Sequence, residues 1–172
     1  AAAVLVGPGL GRDGAARLRA SLDAGVACVV DADALHLLRP GMAAAVLTPH
    51  EGELAALERV FRLSGAGIRA DRAAALAQAS GAVVLAKGPD SAIAAPDGRV
   101  VMAPRASSWL SVAGSGDVLA GIVAARLAVL RDPFAAACQA LWLHGEAARL
   151  AGPAFAASEL AEQVRAALGA TL

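Results

Sequence analysis

Short apolar runs alternate with helical stretches along the first half of this 172-residue chain, and no other feature restricts its fold as much. The runs at 3–7, 27–31, 46–48 and 83–86 read as strands, and the stretches near 14–23, 34–38, 51–60 and 69–79 read as helices. Strands separated by helices form βαβ units, because a parallel neighbour is reached only through a crossover connection. From Lys87 to Met102 the rhythm changes: residues 91–95 and 99–102 flank Pro96-Asp97-Gly98, a turn sequence that predicts a hairpin. Three helical stretches follow, near 115–130, 133–150 and 157–168, separated by Arg131-Asp132-Pro133 and Gly152-Pro153. No repeat, low-complexity linker or internal boundary interrupts the chain, so the expectation is one α/β domain with a mostly parallel central sheet.

Charge and composition exclude several classes of function. Lys plus Arg and Asp plus Glu number 15 each, and no basic stripe interleaved with aromatics is present to hold a nucleic acid. Hydrophobic residues make up 58% of the chain, much of it alanine, but every apolar stretch is broken short of the ~18 residues a membrane span needs. Cys28 sits in a strand-like run and Cys138 on an apolar helix face, so both read as small core residues rather than reactive thiols. With no disulfide framework and no secretory signal, a cytoplasmic protein is expected. The first strand begins at Ala3 without an initiating Met, as expected of the C-terminal portion of a longer domain.

In a doubly wound sheet ligands bind beyond the carboxyl ends of the strands, so the residues just after each strand carry the functional questions. Those residues are Gly7-Pro8-Gly9-Leu10-Gly11-Arg12, Asp31-Ala32-Asp33, Thr48-Pro49-His50-Glu51-Gly52-Glu53 and Lys87-Gly88-Pro89-Asp90-Ser91. A G-x-G-x-x-G pattern from Gly9 to Gly14, with Asp31 near the offset of a ribose-binding acid, keeps a Rossmann dinucleotide site open as an alternative. A P-loop is excluded, since the lone Lys-Gly pair opens a hairpin rather than a helix. His36, His50 and His144 lack the spacing of zinc ligands.

Gly114-Ser115-Gly116-Asp117 stands at the head of the stretch at 115–130. Two glycines and a serine at a helix start leave backbone N–H groups unshielded along the axis. The helix dipole adds partial positive charge there, making the turn a candidate anion site. A carboxylate in that turn repels an anion unless it has chemistry to perform. The chemistry open to Asp117 is taking a proton from a hydroxyl that attacks phosphorus. Ser and Asp are also ordinary N-cap and first-turn residues, so the motif by itself leaves a structural role open.

Six segments in register resemble one family: Val6-Gly-Pro-Gly-Leu-Gly-Arg-Asp13, Asp31-Ala-Asp-Ala-Leu35, Leu47-Thr-Pro-His-Glu-Gly-Glu53, Lys87-Gly-Pro-Asp-Ser91, Gly114-Ser-Gly-Asp-Val-Leu-Ala-Gly121 and Trp142-Leu-His-Gly145. Together they are similar to the ADP/ATP-dependent NAD(P)H-hydrate dehydratases, a carbohydrate-kinase-related family of the ribokinase-like superfamily. The resemblance covers nearly the whole chain and implies a ribokinase-like three-layer sandwich. The implied reaction dehydrates the S form of hydrated NADH or NADPH at the expense of ADP or ATP, with Mg²⁺. The hydrate's hydroxyl is phosphorylated and phosphate is then eliminated, because hydroxide is a poor leaving group and phosphate a good one.

Carried over by position, the resemblance makes Asp117 the base and the N–H groups of Gly114, Ser115 and Gly116 the hole for the transferring phosphoryl group. Gly116 and the segment Lys87, Gly88, Pro89, Asp90 and Ser91 would hold the adenine nucleotide, with Lys87 as phosphate partner. Gly9, His50 and Asp117 would contact the hydrated dinucleotide. Glu53 is either part of a water-bridged Mg²⁺ site or a first-turn acid. Asp31 and Asp33 are expected to cap the short helix after them, and His144 to be a packing residue. A homo-oligomer, and an epimerase domain in the full-length protein, are also implied.

Four features depart from the family pattern. His36 stands where asparagine is usual, Glu51 where proline is frequent and Ser91 where threonine is usual. Ala106-Ser-Ser-Trp-Leu-Ser-Val-Ala113 replaces a proline- and methionine-containing stretch, so no substrate contact carries over there. Two other functions stay in view: a ribokinase-like kinase for a vitamin precursor or sugar alcohol, and a non-catalytic nucleotide-binding or assembly module.

Overall fold

Successive side chains of a strand point to opposite sides of its sheet, so a strand that is apolar at every position must be covered on both faces. Val29 and Val30, Val46 and Leu47, and Val83, Val84 and Leu85 are such runs, and all are buried. A computed structural model describes residues 3–11 and 14–170, and it meets this demand with a six-stranded sheet between two helical layers. Arg12 and Asp13, at the end of the segment 6–13, lie outside the described residues.

The strands are β1 (Ala3–Val6), β2 (Ala27–Val30), β3 (Val46–Leu47), β4 (Val83–Ala86), β5 (Ala92–Ala94) and β6 (Val100–Met102), lying side by side in that order. β1 to β4 are parallel, with Leu5, Val29, Val46 and Val83 in register. β5 and β6 continue the sheet as the antiparallel hairpin that Pro96-Asp97-Gly98 predicts. Each parallel step moves in the same direction, so right-handed crossovers deliver their connections to one face. That face carries α1 (Gly14–Leu22), the 3₁₀ turn Ala32–Leu37, α2 (Glu51–Val60) and α3 (Arg69–Ser80). Leu18, Leu35, Leu54, Leu57 and Leu76 pack from these elements toward Val30, Leu47 and Val84.

The other face is covered by α4 (Ser115–Leu130), α5 (Pro133–Ala151) and α6 (Ala157–Gly169). Here the fold departs from a doubly wound sheet. Strand order does not reverse among the described residues, and three consecutive helices supply the second layer. α5 buries Ala136, Ala137, Ala140, Ala147 and Ala148, side chains short enough to let neighbouring helices approach closely. Helix boundaries follow local signals. The Asp132 carboxylate accepts the N–H groups of Phe134 and Ala135 with Pro133 in the first turn of α5, and α3 stops at Gly81 with φ at +73°. No helix among the described residues is long and apolar enough to cross a membrane.

Candidate functional site

β1 to β4 all end on the same edge, and the loops leaving them are tied together through their backbones. Asp31 N donates to Val6 O at 3.0 Å, Thr48 N to Val30 O at 3.2 Å and Lys87 N to Pro49 O at 2.8 Å. At Gly7 the chain passes so close to β2 that a Cβ would stand 1.7 Å from Asp31 O, and φ is +138°. Only glycine permits both. Beyond it, Gly9 has open space on the side where a Cβ would project.

Asp31 does not cap the helical turn that follows it. It occupies the N-cap position of Ala32–Leu37, yet its side chain makes no cap hydrogen bond, and Lys87 Nζ donates to its Oδ1 at 2.8 Å instead. A carboxylate 1% exposed needs a partner charge, and the lysine at the end of β4 supplies it. Its Oδ2 has no partner among the described residues. Asp33 is not a cap either: its Oδ2 accepts the Gly11 N–H at 3.3 Å, holding the loop after β1.

The head of α4 faces this ion pair. Gly114 takes a left-handed φ of +86°, and a Cβ on Gly116 would come 3.4 Å from Lys87 Nζ, so the ammonium lies over the helix start. One expected donor is already committed: the Ser115 N–H donates to Val112 O at 3.2 Å, because the chain enters the helix through a tight turn. Its hydroxyl donates to Leu110 O at 2.6 Å. Within α4, Gly116 and Asp117 are the positions whose N–H groups find no backbone acceptor among the described residues. The Asp117 carboxylate is exposed and makes no hydrogen bond or ion pair among the described residues.

His144 of α5 belongs to this cluster, beyond the packing role expected of it. It is buried, and its Nε2 donates to Ser115 O at 2.9 Å, so that nitrogen carries a proton. Burial holds its pKa below the ordinary histidine value, against the opposing pull of that hydrogen bond, and the nearby Lys87 charge lowers it further.

His50 and Glu53 form a reciprocal cap on α2. His50 Nδ1 accepts from Gly52 N at 3.0 Å and Glu53 N at 3.3 Å, and Glu53 Oε2 accepts from His50 N at 2.8 Å. The other Glu53 oxygen lies 3.4 Å from His50 Nε2, so the carboxylate is occupied as the first-turn acid. Among the described residues no three His, Cys, Asp or Glu side chains are grouped to share a metal ion.

Arg69 of α3, whose side chain is only 13% exposed, holds the turn after β4. Its Nε donates to Asp90 Oδ1 at 3.0 Å, and its Nη1 donates to Lys87 O at 3.2 Å and to Glu51 Oε2 at 2.6 Å. Hydrogen bonds from Arg72 foremost, and from Arg69, keep Glu51 below the usual carboxylate range. Inside the turn, Ser91 Oγ donates to Gly88 O at 2.8 Å and accepts the Gly88 N–H at 3.0 Å. His36 is exposed and its ring stays outside these contacts.

Two adjoining cavities open above the cluster. The larger, about 690 Å³, runs between the hairpin and α5 and is lined by Val101, Met102, Trp109, Leu141 and Trp142 among others. The smaller, about 380 Å³, is lined by Lys87, Ser107, Ser108, Ser111, Ser115 and Gly116 among others. Gly88, Pro89, Ser91 and His144 border both. Asp117, Gly9, His50 and Asp90 line neither. Trp109 and Trp142, each about half exposed, are exposed apolar surface of the kind that marks a ligand site. Nothing in the spacing of residues 106–113 marks Trp109 as lining a cavity, since that stretch follows no helical or strand period.

A mostly parallel sheet between two helical layers, with a glycine-rich helix start beyond its strand ends and a lysine over that start, gives the chain a ribokinase-like fold. The solved structure of ADP/ATP-dependent NAD(P)H-hydrate dehydratase from Bacillus subtilis, co-crystallised with ATP/Mg²⁺, is similar at a TM-score of 0.83. It covers 99% of this chain and 65% of that one, at 28% identity. The family profile described as NAD(P)H-hydrate dehydratase matches residues 1–168, and the chain belongs to that family. The bifunctional NAD(P)H-hydrate repair enzyme Nnr of Mycobacterium tuberculosis is 47% identical over 136 residues, 72% of this chain and 28% of the relative. The ADP-dependent (S)-NAD(P)H-hydrate dehydratase of Neisseria meningitidis is 39% identical over 132 residues, 70% of this chain and 44% of the relative. The chain therefore spans less than half the length of either curated relative.

Proposed function

We propose that this chain carries out the ADP- or ATP-dependent dehydration of the S form of hydrated NADH or NADPH, as the nucleotide-holding part of a longer ribokinase-like domain. The observation that carries the reading is Lys87 Nζ poised over Gly116 at the head of α4, with the unpartnered carboxylate of Asp117 one residue on. The apolar cavity takes the adenine, its tryptophans offering flat faces to the base, and the polar cavity takes the phosphates against Lys87 and the Gly116 N–H.

The terminal phosphorus is then held where Asp117, outside both cavities, faces an acceptor arriving from the other side. The hydrate's hydroxyl oxygen attacks that phosphorus as Asp117 takes its proton. The bridging P–O bond breaks, releasing AMP from ADP or ADP from ATP. In the second step the C–O bond breaks with its electron pair leaving on phosphate, a proton leaves the neighbouring ring carbon, and the dihydronicotinamide is restored. Gly9 and His50, beyond β1 and β3, are the positions assigned to the dinucleotide. Glu53, whose carboxylate accepts the His50 N–H and keeps further lone pairs, would meet Mg²⁺ only through water. Mg²⁺ would enter on the nucleotide's own phosphates. An epimerase unit in the full-length protein belongs to the same reading.

The test is recovery of dihydronicotinamide absorbance on incubation with hydrated NADH, Mg²⁺ and either ADP or ATP. Asp117→Asn is expected to slow recovery by about 10²–10⁴-fold, the usual contribution of a general base, with nucleotide binding retained. Full activity in that variant removes Asp117 from the mechanism. Phosphorylation of another small alcohol without hydrate repair makes the protein a kinase instead.

A further inference from the structure

Lys87 was the natural phosphate partner in the sequence, yet in the fold its charge is matched by Asp31 at 2.8 Å, in a pair with a second, unpartnered carboxylate oxygen. A site whose cation is neutralised does not by itself favour a polyanion. The other charges around the two cavities are also matched. Arg149 is paired with Glu146 through contacts of 2.8 and 2.6 Å, and burial disfavours a charge on the His144 ring. Asp90, at the turn, is held by Arg69.

One cation is left. Arg105, in the connection between β6 and the 3₁₀ turn Ser108–Ser111, is exposed, and its guanidinium makes no hydrogen bond or ion pair among the described residues; its charge is felt at the exposed Asp90, which Arg69 already holds. Among the described residues it is also the one charged side chain that lines both cavities. We propose that Arg105 supplies the net positive charge of this site and grips the nucleotide's phosphates at the passage between the apolar and the polar cavity. The proposal rests on the reading of these cavities as an adenine-nucleotide site. Arginine suits the place because its planar fork pairs with two phosphate oxygens at once, where an ammonium acts as a point charge. With the base in the larger cavity and the terminal phosphate at Gly116, the inner phosphate linkages necessarily cross the shared wall, where Arg105 stands.

Both tryptophans of the chain, Trp109 and Trp142, line the larger cavity, so intrinsic fluorescence reports binding directly. ADP, AMP and adenosine are titrated into the wild-type protein and into Arg105→Ala and Arg105→Lys, each checked for unchanged melting temperature. Loss of one charge-assisted contact predicts that Arg105→Ala weakens ADP binding by about 10- to 100-fold, and AMP less. Adenosine affinity should stay within about twofold, because it carries no phosphate. Arg105→Lys should retain most of the ADP affinity while its salt dependence persists. Equal weakening of ADP and adenosine overturns the proposal, since that marks a role in shaping the segment rather than in holding phosphate. Unchanged ADP binding in Arg105→Ala overturns it too, while leaving the nucleotide reading intact. A wild-type protein that binds adenosine and ADP equally removes the phosphate reading of the site and the proposal together.

Discussion

The buried ring of His144 donates to the carbonyl of Ser115, and so fixes the first turn of the helix that presents Gly116 and Asp117. That arrangement has a pH signature with a definite sign. The folded ring holds its proton less well than an ordinary histidine, because burial disfavours the charged form. On acidification the unfolded chain therefore takes up a proton first. Stability is fully present above the ordinary value of 6.5 and falls as pH drops through it toward the lowered folded value. His144→Gln keeps a donor to Ser115 and does not titrate. Wild type should therefore lose stability relative to that variant between about pH 7 and pH 5, with a slope of at most about 1.4 kcal/mol per pH unit. Parallel denaturation profiles for the two proteins would show that the ring does not titrate as described. At this scale the sequence is legible where a residue acts through its own neighbours, as Glu53 does in the first turn of α2, whereas the close approach of Gly7 to Asp31 is not encoded locally. The Asp31–Lys87 pair and the His144–Ser115 contact join positions far apart in the chain, and no periodicity encodes them.

Strands and helices form from local signals, and their observed ends lie within about one residue of those read from the sequence, the 3₁₀ turn Ala32–Leu37 excepted. Their mutual placement depends on contacts such as Arg69, which ties α3 to the start of α2 and to the turn after β4. This staple accounts for two features that looked unrelated. Glu51, at the start of α2, is an anchor for Arg69 and Arg72. At Gly88 a Cβ would stand 2.5 Å from the Arg69 Cζ, so a side chain there must displace the guanidinium from its partners. Gly88→Ala should therefore destabilise the protein by about 1–3 kcal/mol through overpacking. In an Arg69→Ala background the same substitution should cost less than half as much, because the obstructing guanidinium is gone. A double-mutant cycle by chemical denaturation measures the coupling, and strictly additive effects would show that the arginine does not dictate the glycine.

Across the whole molecule, the sheet brings four loops to one edge, and the three C-terminal helices bring the glycine-rich start of α4 to meet them. The alternation of strands and helices made the parallel sheet legible. It did not show that strand order runs without reversal, since that order is set by how crossovers pack rather than by any segment's own pattern. The cavities lie across a seam in this design: their walls come from the turn after β4, the connection before α4, and α5, elements otherwise joined mainly through the core. A ligand filling them fastens the hairpin end of the sheet to the helical layer, and it binds the folded chain only. ADP at 100 times its dissociation constant should therefore stabilise the protein by about 2.7 kcal/mol. At roughly 2–4 °C per kcal/mol for a chain of this size, the melting temperature should rise by about 5–10 °C, and adenosine at equal saturation should raise it equally. Differential scanning fluorimetry at matched saturation checks both statements. A shift with ADP but none with adenosine at any concentration tried would place the adenine outside the tryptophan-lined cavity and leave only the phosphates bound across the seam.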